Sequence, residues 1–330
     1  MSQPLHPLPM RFHAVNEAAP GPKWLAHYRA ALPGYRRWFD SEGEVRRPSL
    51  EHCQQALQTH MPELLPLWQS LAALAQADEN DARLLSFYCP AAQPTGCSQA
   101  VWTRYTPTLV RNYDYTPAYC EARILHTCWH GRRVIASTDC LWGVLDGMNE
   151  NGLCVSLAFG GQDTVGTGFA MPIVLRYILE FCTHVDEAVK VLKRVPVHMA
   201  YNITLLDAYG QVRTVELDPL SAPKITYMPL AVNHQGEFTL TNYAMFSQSY
   251  ERQQFLQARL FDPLSSLESF VNAFEFSPIF ASNYAQGFGT LYTAIYNPQL
   301  RAMEYRWPNR LRMYQSFAYF EECELWADLA

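Results

Sequence analysis

An α+β fold is predicted for this chain of 330 residues, and three observations predict it. Residues 1–96 carry apolar positions at helical spacing and little strand pattern until their end. From residue 97 onward short alternating runs arrive close together, separated by turn residues. Helical stretches then fall in blocks between those runs, and blocks favour stacked layers over a doubly wound parallel sheet.

In chain order, 23–32, 49–60 and 62–77 read as helices, with Ser49 and Glu51 near one start and Pro62 suited to a first turn. A polar break at 78–81, a strand at 84–88 and an irregular connection at 90–96 follow. Runs 98–105 and 108–115, broken by Thr106-Pro107, form a hairpin that brings residues 114–116 opposite Cys97. Strands are expected at 124–129, 134–137 and 140–145, and at 153–159 after the Asn151-Gly152 turn. Helices 172–182 and 185–194 precede a hairpin of 200–206 with 212–217. Strands at 231–232 and 238–240, helices at 250–260 and 264–274, and strands at 290–296 and 302–307 complete the order.

Composition excludes several function classes. Hydrophobic residues are 49% and charged residues 17%, and no apolar run reaches the roughly 18 residues that span a bilayer. The first seven residues lack a basic patch followed by an apolar stretch, so a cytoplasmic location is expected. A net charge of -6 and scattered arginine pairs leave no footprint for nucleic acid, which points to a small-molecule partner. Nine cysteines, odd in number and without Cys-x-x-Cys spacing, argue against a disulfide framework or a zinc ribbon. His126, Cys128 and His130 share one strand face but have no further ligand spaced to help, and Gly160, Gly161, Gly166 and Gly168 lack a phosphate-loop pattern. Neither a metal nor an organic cofactor is expected.

Chemistry concentrates at Gly96-Cys97, followed by Asp114 within Arg111-Asn112-Tyr113-Asp114. A thiol in mid-chain has no base of its own. Scission of the Gly96-Cys97 bond would give Cys97 a free α-amine with a pKa of about 7.7 to 8, so base and nucleophile would share one residue. Gly96 offers no side chain to hinder an acyl shift at that bond.

The segment from Gly96 to Gly161 resembles the N-terminal nucleophile hydrolases of the isopenicillin N acyltransferase (acyl-coenzyme A:6-aminopenicillanic acid acyltransferase) type, which are related to choloylglycine hydrolases. Gly96-Cys97-Ser98, the Arg111 to Asp114 tetrapeptide, and the stretch Leu141 to Leu153 carry the likeness, with 196–202 and 232–234 further on. The resemblance implies a four-layer αββα sandwich of two antiparallel sheets flanked by helices. It implies a precursor that cuts itself before Cys97, leaving residues 1–96 as a bound pro-segment and 97–330 as the catalytic domain. The implied activity is hydrolysis or acyl transfer at the linear amide bond of a small N-acyl amide, through an acyl-Cys97 thioester. By residue, Cys97 is the nucleophile, Asp114 holds its ammonium, and Arg111 steadies that aspartate or a substrate carboxylate. Asn233 and the backbone N–H of Ala158 form the oxyanion hole. A late arginine of the family has Arg306 as its nearest match.

Other readings stay open. Alone, Cys97 fits a buried structural thiol, Arg111 with Asp114 a surface ion pair, and Asn233 a turn residue. The stretch Asp146 to Gly152 fits a purely architectural turn. Tyr113, Trp142 and Phe159 fit either an apolar acyl pocket or the core. His234, beside Asn233, would permit a Cys-His amidohydrolase without chain cleavage. An uncleaved binding or scaffold protein, with residues 1–96 plugging the pocket, is the non-enzymatic alternative.

Overall fold

A computed structural model describes residues 8–43, 46–236 and 247–329. The chain opens with strand β1 (Pro9–Asn16) and four helices, α1 (Pro22–Phe39), α2 (Leu50–His60), α3 (Leu65–Ala75) and α4 (Glu79–Ser86). Strands β2 (Gly96–Trp102), β3 (Thr108–Tyr115), β4 (Arg123–Thr127), β5 (Val134–Asp139), β6 (Gly143–Asn149) and β7 (Cys154–Phe159) follow. Helices α5 (Met171–Phe181) and α6 (Val185–Arg194) precede β8 (Tyr201–Leu206), β9 (Val212–Asp218), β10 (Ser221–Thr226) and β11 (Leu230–Ala231). Helices α7 (Ser249–Phe261) and α8 (Leu267–Asn272) lead to β12 (Gly289–Asn297), β13 (Ala302–Arg306), β14 (Arg312–Ser316) and β15 (Cys323–Asp328).

These strands make two sheets, in the orders β10-β9-β8-β7-β6-β5-β4-β1-β15 and β11-β2-β3-β12-β13-β14. They stack face to face, β2 lying against β7 and β8, and β12 against β6. Helices α5 and α6 cover the outer face of the first sheet, and α7 with α8 the outer face of the second. The αββα layering that the family resemblance implies is therefore observed. One rung departs from it: β1 pairs with β4 in parallel, every other neighbouring pair being antiparallel.

That β1 exists corrects the expectation of little strand pattern before residue 97. Phe12 and Ala14 alternate into the core, the two-residue period of a strand. Residues 84–88 correct it in the other direction, since 84–86 end a helix and only Tyr88 makes a β-bridge, with Phe169. Asp78 caps α4 by accepting the Asp81 N–H at 2.8 Å, and Phe87 closes the helix at φ 47°. The acidic run taken for a break is thus a helix start. Strand β6 begins three residues later than expected, because Cys140 and Leu141 both take left-handed φ, 57° and 64°. Strand 231–232 appears as β11, shifted by one residue, whereas 238–240 lies outside the described residues.

The N-terminal helices dock on that 140–142 turn through two reciprocal indole hydrogen bonds. Trp24 Nε1 donates to Leu141 O at 3.1 Å, and Trp142 Nε1 donates to Leu85 O at 3.0 Å. Together with β1, these bonds tie residues before 97 into the body of the fold. Among the described residues no helix is long and apolar enough to cross a membrane.

Candidate active site

Cys97 stands second in β2, a strand buried along its whole length. The β2–β3 register pairs Cys97 with Tyr113 and Gly96 with Asp114, one residue short of the 114–116 expected opposite Cys97. A Cβ on Gly96 would lie 2.4 Å from Phe288 Cζ and 3.1 Å from Asp114 O, so a side chain there would require the Phe288 ring to move.

Pleating sends alternate side chains to opposite faces. Cys97, Gln99 and Arg111 face the nine-stranded sheet: Gln99 Nε2 donates to Asn202 O of β8 at 2.9 Å, and Arg111 pairs with Asp146 of β6. Ser98, Asn112 and Asp114 face the helices. Asp114 accepts from Thr290 Oγ1 at 2.7 Å and lies 3.7 Å from Arg252 Nη1 of α7, and Asn112 Nδ2 donates to Phe274 O at 2.8 Å. Arg111 and Asp114, three apart on one strand, therefore point away from each other. No hydrogen bond joins them, so Arg111 favours the Asp114 carboxylate only through its charge, and since both are buried they are not a surface pair.

The sulfur of Cys97 is fully buried and accepts from Arg111 Nη2 at 3.0 Å. Burial pushes its thiol pKa up, with the Arg111 charge pulling the other way. Burial likewise raises the Asp114 carboxyl, opposed by Arg252 and by the Thr290 hydroxyl. Burial alone would lower Arg111, but the Asp146 charge, and that of Cys97 whenever its thiol ionises, outweigh it and hold the guanidinium cationic.

Asn233 brackets Gly96. Its Oδ1 accepts the Cys97 N–H at 2.9 Å, while its Nδ2 donates to Thr95 O at 3.4 Å and to Phe159 O at 3.1 Å. It is held by Ser249 Oγ, which accepts its backbone N–H at 2.9 Å, and by Arg252 Nη2, which donates to Oδ1 at 2.8 Å. Ala158 sits in β7 opposite Asn202, next to Phe159 and beyond the last register pair of β7 with β6.

Arg252 was missed by sequence reasoning. It donates to Cys97 O and Ser98 Oγ, both at 2.7 Å, and to Ser247 O at 2.7 Å besides its bonds to Asn233 and Asp114. A basic residue in an amphipathic helix reads as solvated, yet here it is 3% exposed because α7 lies across β2 and β11. Arg306, the late arginine singled out instead, spends its charge on Glu304 at 2.7 Å and Glu275 at 2.9 Å. His234 is engaged through both ring nitrogens, Nδ1 with Ser249 Oγ at 2.8 Å and Nε2 with Gln253 Oε1 at 3.1 Å.

Of the three aromatic residues, Tyr113 lies closest to the chemistry. Its ring carries the Arg111 guanidinium 4.8 Å from its centroid, and its buried hydroxyl has no hydrogen-bond partner among the described residues. Phe159 is buried next to Asn233. Trp142 instead serves the joint with α4. A cleft of about 880 Å³ does not open on Cys97: it runs between α2 and residues 165–167, past Arg47, His52, His60 and Cys89.

No curated protein matches the chain in sequence. Among solved structures, penicillin V acylase from Agrobacterium tumefaciens is similar at 12% identity over 67% of this chain and 86% of that one, with a TM-score of 0.45. A mutant of conjugated bile acid hydrolase from Clostridium perfringens gives 12% identity, 69% and 96% coverage, and a TM-score of 0.48. The N-acylethanolamine-hydrolyzing acid amidase ortholog of Caenorhabditis elegans gives 17%, 70% and 98%, and 0.46. The family model "Acyl-coenzyme A:6-aminopenicillanic acid acyl-transferase" matches residues 102–312, starting just past Cys97. Since that match takes in well over half of the sequence, the chain belongs to the acyl-coenzyme A:6-aminopenicillanic acid acyl-transferase family.

Proposed function

We propose that this chain is a self-processing enzyme that hydrolyses, or transfers the acyl group of, a linear amide through a thioester on Cys97. The observation that carries this reading is Asn233 bonded on either side of Gly96, to Thr95 O and to the Cys97 N–H, with Arg111 3.0 Å from the sulfur. Residues 1–96 are the pro-segment, retained after cleavage by β1 pairing and by the Trp24 and Trp142 bonds. Residues 97–330 are the catalytic domain.

In the first stage Sγ of Cys97 adds to the carbonyl carbon of Gly96, the C–N bond breaks, and the thiol proton ends on the departing amine. Water then hydrolyses the resulting thioester, leaving a Gly96 carboxylate and a Cys97 that carries both thiol and amine. In the second stage that amine takes the thiol proton as sulfur attacks the substrate carbonyl, and returns it to the leaving amine. Asn233 Nδ2 and the Ala158 N–H serve as donors to the oxyanion, a single such donor contributing about 2.7 to 4 kcal/mol in the transition state. Asp114, paired with Arg252, sits at the strand end where the new ammonium would form and holds it. Tyr113 and Phe159 favour an apolar or aromatic acyl group. Water is the default acceptor.

Intact mass after expression tests this. The expected result is a 96-residue fragment and a second fragment beginning at Cys97, with a Cys97→Ala chain remaining whole at 37.7 kDa. Turnover of fatty-acyl or phenylacetyl amides by a chain still continuous across positions 96 and 97 would overturn it.

A further inference from the structure

Arg111 divides its donors between two tasks. Nη2 faces the Cys97 sulfur, while Nη1 donates to Asp146 and, at 3.2 Å, to the Tyr292 hydroxyl. Asp146 is itself fully buried and accepts from Ser137 Oγ at 3.1 Å, Tyr292 OH at 2.7 Å and Tyr296 OH as well. Tyr296 is held in turn by Tyr305 OH at 2.9 Å. With Arg111, four donors meet one carboxylate and fill its roughly four acceptor sites.

The donors come from β3, β5 and β12 and the carboxylate from β6, so the cluster bridges both sheets directly behind the nucleophile. A guanidinium on a long flexible stem has many rotamers. A saturated carboxylate that cannot turn leaves its planar fork one orientation.

We infer that Asp146, locked by Ser137, Tyr292 and Tyr296, is a positioning residue that fixes Arg111 against the sulfur of Cys97. The inference rests on Cys97 being the nucleophile, and it assigns a working role to a motif that by sequence looks architectural. Asp146 touches no reacting atom. It acts through Arg111 alone, so its effect on Cys97 must vanish when Arg111 is absent.

The test is an NMR titration of the full-length chain labelled with 13C at cysteine Cβ, with Cys97 assigned from a Cys97→Ser chain. Thiol ionisation is then read whether or not the chain has been cut. In Asp146→Asn the amide would turn donors toward the Arg111 donors and release the fork, and the Cys97 midpoint is expected to rise by about 1 pH unit or more. Tyr292→Phe, which removes one hydroxyl and keeps the ring, should move it the same way by less. Neither change should shift the midpoint in an Arg111→Met background. An unchanged or lowered midpoint in Tyr292→Phe or Asp146→Asn, or an equal rise without Arg111, overturns the inference. Failure of Asp146→Asn to fold leaves the decision with Tyr292→Phe. If Cys97 is not the nucleophile, the cleavage experiment fails by itself while this titration still reports on Asp146.

Discussion

Arg252→Met should cost about 3 to 5 kcal/mol of stability at pH 7, and the loss should shrink as the pH falls. The side chain is 3% exposed and bonds four oxygens at 2.7 to 2.8 Å, those of Cys97, Ser98, Asn233 and Ser247, with Asp114 at 3.7 Å. Methionine replaces most of the stem, so the lost volume is small and the main term is a carboxylate stranded without its cation. Burial already raises the Asp114 pKa, and Arg252 is the first influence opposing it. Without Arg252 that pKa climbs further. A folded-state pKa above the unfolded value means the folded chain holds a proton that the unfolded chain releases, so stability falls as pH rises above the ordinary carboxylate range. The assay is urea unfolding of a Cys97→Ala chain at pH 5 and pH 7, with and without Arg252→Met. Adding Asp114→Asn should remove most of the pH dependence of the loss. A loss under about 1 kcal/mol at both pH values, the size of an exposed ion pair, or one indifferent to Asp114→Asn, would refute the assignment of Arg252 as the counter-charge.

Two further outcomes follow from the same geometry. His234→Ala should cost about 1 kcal/mol and leave the processing half-life, followed by intact mass, within a few-fold, because both ring nitrogens serve Ser249 and Gln253; loss of processing in a folded chain would return His234 to the mechanism. At the joint with α1, one Tyr35 hydroxyl lies 2.6 Å from Glu121 and 2.7 Å from Asp139, and burial together with the Glu121 charge pushes the Asp139 pKa up. That group stabilises the fold at low pH and loses its contribution as pH rises above the ordinary carboxylate range, so Asp139→Asn should flatten thermal stability in that window, and a retained slope would exclude it as the source.

Most of the layering was legible in the sequence because period-two and period-3.6 patterns survive wherever one face is buried. The failures have local causes. Leu84 and Leu85 form a short apolar pair that either period accommodates, and only the Asp78 cap, with its bond to Asp81 N–H, decides for helix. Cys140 and Leu141 extend an apolar run, yet left-handed φ at two non-glycine residues cannot be read from residue type. The cysteine, the glycine before it and the asparagine could be named because motif order carries them. Their charged partners could not. Arg252 reaches Asn233 only through the placement of α7, and Asp146 reaches Arg111 only across the gap between two sheets.

Those two contacts also bear on why an uncut chain, although it can attack its own Gly96 carbonyl and pass the thiol proton to the departing amine, would be quiet toward added amides. Each guanidinium beside Cys97 is already partly neutralised by a buried carboxylate, Arg111 being shared between Asp146 and the Cys97 sulfur and Arg252 lying beside Asp114. Burial then keeps the thiol protonated, and His234 is committed elsewhere. What such a site lacks is an acceptor for one proton. On the proposed reading, cutting at Gly96 turns the Cys97 N–H that now donates to Asn233 Oδ1 into an amine at the same place, adding the missing base. Activation would then need no rearrangement of Arg111 or Arg252, while Asn233 Nδ2, whose two N–H groups serve Thr95 O and Phe159 O, must release one of them to meet the oxyanion.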